Sequence, residues 1–348
     1  MPALCHGAAA CEALTVRTQN PLVSAAALGG AMAAVPLRLL HGLASPARAD
    51  LSAQLRRAVG LGRPPVRMSM DPDESYLPPD GMARMVHSDL PSMLIGGISA
   101  LLLQTLHPLA MAGVAEHSHY QADPLGRLRR TADFVGTTTF GTAREAEKAV
   151  QQVRRVHRRV TGVAPDGRRY SAGDHELVTF IHAAEVSSFL ESARRFGPRD
   201  LTPEQCDQYY DEVAPVALAL GAEWVPRSAA DVDDYFRRLR PELHAGAQAL
   251  QARDWLRHGV SRRPEQRAVY AVLHAAAVSL LPPWARSELG LSSPLPLDLL
   301  VDTVAVIPTS RAVSAGLRWL ATPQPAGQPQ PDARPQTAMV SPPSMATT

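Results

Sequence analysis

Arg127, Arg130 and Thr131 stand at i, i+3 and i+4 behind Asp123-Pro124, so on a helix two guanidiniums and a hydroxyl share one face. Further on, His157 lies within Val153-Arg-Arg-Val-His157-Arg-Arg-Val160-Thr-Gly162. If that stretch is helical, the imidazole shares a stripe with Val150, Val153, Val160 and Thr161, flanked by Arg154, Arg155, Arg158 and Arg159. An iron porphyrin needs one neutral imidazole on a rigid helix, cations for its propionates, and a polar group or two on the opposite face. His157 could be that axial ligand, the surrounding arginines could meet the propionates, and Arg127, Arg130 and Thr131 could form the polar side. The same residues fit a plainer role, in which His157 is a core histidine with its hydrogen bonds satisfied. His107 before Pro108 and His182 in an apolar run compete for the ligand position, and each also fits a helix end or a core site.

Other chemistries find less support. His175 and His182 are seven residues apart, about 10 Å along a helix, too far to share one zinc. His117 and His119 flank Ser118 and would point apart. There is no Gly-x-Ser-x-Gly elbow and no glycine-rich phosphate loop. Cys5, Cys11 and Cys206 are too scattered for a disulfide framework, which fits a reducing compartment and a cytoplasmic location. The net charge of +2 is close to balance, and Lys148 is the only lysine. Nucleic acid is therefore not an expected partner.

The elements that must position these residues read as helices. With 45% hydrophobic but only 5% aromatic residues, and alanine and leucine supplying most of the apolar mass, the composition favours an all-α chain. Met93 to Leu106 is apolar nearly all round, as expected of a central buried helix too short to span a bilayer. His107-Pro108 should end or kink it. Asp123-Pro124 starts a helix that breaks at Thr137 to Gly141, and Ala143 to Thr161 forms the next, closed by Gly162 as a left-handed cap. Further helices are expected over Asp174 to Arg195, Thr202 to Leu220 behind a capping box, Ser228 to Pro241, Glu242 to His258, Glu265 to Leu280 and Leu297 to Leu320. No strand of useful length is expected.

Several ordered motifs together resemble one family. They are His107-Pro108, Gly113-Val114-Ala-Glu-His117-Ser118, Asp123-Pro124-x-x-Arg127-Leu128-x-Arg130-Thr131, Phe140-Gly141, His157-x-x-Val160-x-Gly162, Tyr170-Ser-Ala172 and Phe180-Ile-His182. The family groups the latex clearing protein, a rubber oxygenase, with MpaB, the oxygenase of mycophenolic acid biosynthesis. The resemblance implies an all-helical domain that binds haem b through a histidine and cleaves carbon-carbon double bonds of polyisoprenoids with O2. It implies His157 as the proximal ligand, Arg127, Arg130 and Thr131 on the distal side, and Glu116 as the nearest candidate for the catalytic acidic residue. The rubber oxygenases carry a lysine where this chain has Arg130. A guanidinium stays protonated and is not expected to ligate iron, which sets this chain apart from rubber cleavage itself.

The expected organisation is a basic, alanine-rich extension over residues 1–70, one large multi-helix haem-binding domain over 71–320, and a disordered proline-rich tail over 321–348. The expected function is haem b-dependent oxidative cleavage of a hydrophobic alkene, an isoprenoid by the resemblance, with O2 as co-substrate. The alternative is a helical carrier or sensor that binds haem or a hydrophobic ligand without turning it over. No transmembrane span is expected, and an amphipathic stretch in the basic extension leaves room for peripheral contact with an anionic surface.

Overall fold

In the computed structural model the described residues are 68–118, 124–258, 264–292 and 302–321, with backbone alone for 124–129, 264–266 and 319–321. The N-terminal extension up to residue 67 and the tail from 322 lie outside them. Helices dominate: α1 Met82–His87, α2 Leu90–Gln104, α3 Pro108–His117, α4 Pro124–Phe140, α5 Ala143–His157, α6 His175–Phe196, α7 Pro203–Leu220, α8 Ala229–Leu239, α9 Ala247–His258, α10 Pro264–Leu280, α11 Pro283–Glu288 and α12 Ile307–Ala321. A short 3-10 turn, Arg240–Glu242, extends α8, and a π turn, Asp302–Val306, leads into α12. The expected start at Leu297 lies outside the described residues.

Local chemistry explains most boundaries. The Asp89 carboxylate accepts from Ser92 N at 3.2 Å to open α2, and Asp174 accepts from Glu176 N at 2.9 Å to open α6. Thr142 with Glu145 and Thr202 with Gln205 form complete capping boxes on α5 and α7. Gly221 ends α7 in the left-handed region at φ 117°, which a glycine adopts without steric cost.

The centre is α2 packed along α6. Gly96 permits their approach, since a Cβ there would stand 2.9 Å from Ser188 O and 3.0 Å from Phe189 Cα. Around this pair Ile95, Leu102, Leu106 and Phe180 lose all solvent contact, and α10, α12, α9 and α1 close over the remaining sides. The chain then bends by 105° between α2 and α3 at His107-Pro108, as proline dictates. No single helix among the described residues is long and apolar enough to cross a membrane; the bent α2–α3 pair passes only on length and composition, and most of α2 is covered by other helices.

Three expectations are corrected. Helix α5 ends at His157, with Arg158 as its C-cap, so Val160 and Thr161 are not on its face. Gly162 is not a left-handed cap but the middle of a strand. Strands β1 Thr161–Val163 and β2 Arg169–Ser171 form a small antiparallel hairpin, with Gly162 opposite Tyr170. The break placed at Thr137 also comes later, because α4 runs through Phe140. Its threonines return their hydroxyls to the helix's own carbonyls, Thr137 Oγ1 to Asp133 O at 2.6 Å and Thr138 Oγ1 to Phe134 O at 3.0 Å.

Candidate functional site

Helices α4 and α5 are joined by Gly141-Thr142 alone and contact each other. Arg130 and Thr131 are exposed on α4, while the side chain of Arg127 lies outside the described residues. His157, the last residue of α5, is half-buried. Its Nδ1 is sealed from solvent without a hydrogen-bond partner, and burial lowers the pKa of the ring, so the imidazole is held neutral. Val150 is buried and Val153 half-buried on the same helix, and with Val160 and Thr161 beyond the helix end the apolar stripe is shorter than expected.

Glu116 is exposed at the end of α3, yet one carboxylate oxygen is fixed. The Tyr170 hydroxyl donates to Glu116 Oε2. Tyr170 is buried between α3 and the hairpin among Ala112, Ala164 and Leu177, and its pKa is raised to about 12 by burial and by Glu116, so the phenol keeps its proton. The ring fits because Gly113 and Gly162 flank it. A Cβ at Gly162 would fall 2.5 Å from Tyr170 Oη and 2.6 Å from Glu116 Oε2. His117 closes the edge, its ring 6.2 Å from that of Tyr170 and its Nε2 3.1 Å from Thr161 O. His117 thus serves the hairpin, and His119 lies outside the described residues. No group of three or more metal-ligating side chains occurs among the described residues.

The His157 imidazole makes no hydrogen bond and the Glu116 carboxylate bonds only to Tyr170, so these two side chains are not hydrogen-bonded to each other. The segment after His157 runs back to the Glu116–Tyr170 pair: Val160 N donates to His157 O at 3.1 Å, and Val160 itself packs with Tyr170 against α3.

Two polar features went unnoticed in the sequence. His87 bridges three helices: its Nδ1 meets Thr139 Oγ1 at 2.7 Å and its Nε2 meets Tyr209 Oη at 2.9 Å. With both nitrogens committed, His87 has none to offer a ligand. Glu185 lies one turn beyond His182 on α6. Burial raises its carboxyl to about 7, although its side chain retains some accessible surface. A carboxylate inside the apolar run from Phe180 to Leu190 was the available signal.

A porphyrin ligand needs a neutral imidazole that is not sealed on every side. Buried nitrogens without a partner occur in His107, His157, His182 and His274. His107, His182 and His274 are closed in at 5%, 8% and 8% exposure, and His107 stacks on Phe180 at 4.9 Å. Only His157 of the four remains half-buried, so it fits the ligand role better than its rivals.

A family model described as ER-bound oxygenase mpaB/B'/Rubber oxygenase, catalytic domain, matches residues 84–315, from α1 to α12. The chain belongs to this family of oxygenases. Neither the curated proteins nor the solved structures contain a significant match. The match includes every candidate residue, and its limits coincide with the helical body.

Proposed function

We propose that the chain is a haem b-dependent oxygenase acting on a hydrophobic alkene, an isoprenoid by resemblance, with O2 as co-substrate. Membership of the oxygenase family supports the reaction class, and His157, neutral, half-buried and lacking a partner at Nδ1, is the observation that carries the haem. His157 would hold the iron. When bound, haem supplies the redox chemistry and the affinity for O2 that no side chain here has. Arg130 would contribute a guanidinium donor, and Thr131 a hydroxyl that both donates and accepts. Tyr170 keeps one oxygen of Glu116 occupied, which leaves the other as the acceptor able to take or hold a proton. An apolar channel lined partly by α2 would admit the alkene and exclude water from it.

Reconstitution with haem should give a Soret band in the parent and a much weaker one in His157→Ala at unchanged helical circular dichroism. Oxygen uptake with an isoprenoid alkene should be present in the parent and lost in the variant. A parent that binds haem but consumes no oxygen with any alkene would be a carrier or sensor, and a full Soret band in His157→Ala would remove His157 as the ligand.

A further inference from the structure

Six large hydrophobic side chains are exposed among the described residues, and three of them gather near the end of α5: Val156, Val163 and Trp224 at 49%, 57% and 47% exposure. Val156 is in the last turn of α5, Val163 ends β1, and Trp224 follows α7. Arg154 Nη1 donates to Ala219 O at 3.4 Å, which ties the end of α5 to the end of α7. His175, just beyond β2, lies 3.9 Å from Glu223, which brings the Trp224 segment to the hairpin. Because Gly162 and Tyr170 face inward to α3, the next pair in register, Val163 and Arg169, must face outward.

The hairpin and the end of α5 beside these side chains are predominantly basic. Between Gln151 and Gly173 the chain carries six arginines and a single acid, Asp166, which Arg168 engages at 2.8 Å. Arg155, Arg158, Arg159 and Arg169 are exposed. Arg155 bonds only Gln152, and Arg158, Arg159 and Arg169 make no ion pair or side-chain hydrogen bond with the described residues. Of the acids in the adjoining segments, Glu116 accepts from Tyr170 and Asp174 from the first amides of α6, while Glu176 and Glu223 are exposed, Glu223 at 3.9 Å from His175.

We propose that this end of the molecule docks on a bilayer surface containing anionic lipid, with Arg155, Arg158, Arg159 and Arg169 among the headgroups and Val156, Val163 and Trp224 in the interface. Unpaired guanidiniums complement an anionic surface, and exposed valines gain from an acyl boundary what neither water nor a phosphate backbone offers. An indole at such a boundary buries its ring and keeps its N–H wet. A nucleic acid would instead favour several aromatic faces for stacking, and Trp224 is the only aromatic among the exposed large hydrophobics. The docking surface stands whether or not His157 holds haem. Its consequence for the proposed function is one of delivery: His157 sits between Val156 and Arg158, so docking brings that residue toward the phase in which a hydrophobic alkene dissolves.

Flotation of the full chain with vesicles tests this. The chain should float with phosphatidylcholine vesicles that contain phosphatidylserine, much less with phosphatidylcholine alone, and less as salt rises. The Arg158→Ala/Arg159→Ala/Arg169→Ala variant should bind roughly a hundredfold more weakly, from the usual contribution of each basic residue at such a surface. Val156→Ser/Val163→Ser should also weaken binding. Vesicles should shift the tryptophan emission to the blue in the parent but not in Trp224→Phe. All of these side chains are exposed, and circular dichroism should show parent-like folding throughout. Equal flotation of the parent and the triple-arginine variant would overturn the proposal, because attraction would then lie elsewhere, such as in the basic extension. Absence of flotation, or duplex RNA bound in preference to the vesicles, would overturn it as well.

Discussion

Gly162 lacks a side chain because Tyr170 and Glu116 occupy the space where one would go. Gly162→Ala must therefore push the phenol or the carboxylate aside, and both are constrained: Tyr170 is packed under α3, and the two are hydrogen-bonded to each other. A loss of roughly 1–3 kcal/mol is expected from such overpacking, read as a lower urea midpoint. In a Tyr170→Phe background the nearest obstacle, the hydroxyl at 2.5 Å, is gone, so the same substitution should cost less. Equal costs in the two backgrounds would mean that the crowding lies elsewhere. The sequence displayed this glycine clearly but not its purpose. A glycine after a helical run reads as a left-handed cap, whereas the tyrosine that demands its small size is brought opposite it only by the hairpin. The position of His157 among ordered motifs singled it out in the sequence, but the orphaned Nδ1 and the early end of the helix depend on what packs around α5.

Helix boundaries were mostly legible because capping chemistry is local. Thr202, Ser228 and His107-Pro108 act on amides within a turn of themselves, and each marks an observed start or bend. The hairpin was not, because strands of three residues carry too little alternation to stand out. Nor was the placement of the last helix, which depends on a contact across most of the chain. Arg318 on α12 reaches Asp89, the N-cap of α2, with Nε to Oδ1 at 2.6 Å and Nη2 to Oδ2 at 2.8 Å, and also bonds Phe196 O. Asp89 is only 10% exposed at its side chain, and its pKa is lowered because the hydrogen bonds from Arg318 and Ser92 outweigh its burial. Arg318→Ala would leave that carboxylate with Ser92 alone. A cost of roughly 3 kcal/mol is expected, with α12 becoming the first site of proteolytic cutting in the helical body. Cutting that begins elsewhere, at parent-like stability, would show that α12 is held by its apolar face instead.

For the molecule as a whole, the buried titratable groups oppose one another across the pH scale. Burial lowers His87 to about 3, and His107, His182 and His274 to about 4, with His182 adding to the effect on His87 and Arg168 to that on His107. The folded values lie below the ordinary 6.5, so their contribution is whole above that pH and is lost as pH falls toward the folded values, when unfolding lets them charge. Glu185 acts in the opposite direction. Its folded value of about 7 exceeds the ordinary 4.5, so its contribution is present below 4.5 and lost as pH rises through 7. Among the described residues no hydrogen bond or ion pair stabilises its charged form, which places the effect in desolvation. Glu185→Gln keeps the shape and removes the charge. Its stability should match the parent at pH 4 and exceed it at pH 8 by up to about 3 kcal/mol, a shift of between two and three units at ~1.4 kcal/mol each. Urea midpoints measured across that range decide the matter: a difference that does not grow with pH would mean that the Glu185 carboxyl is solvated in the fold.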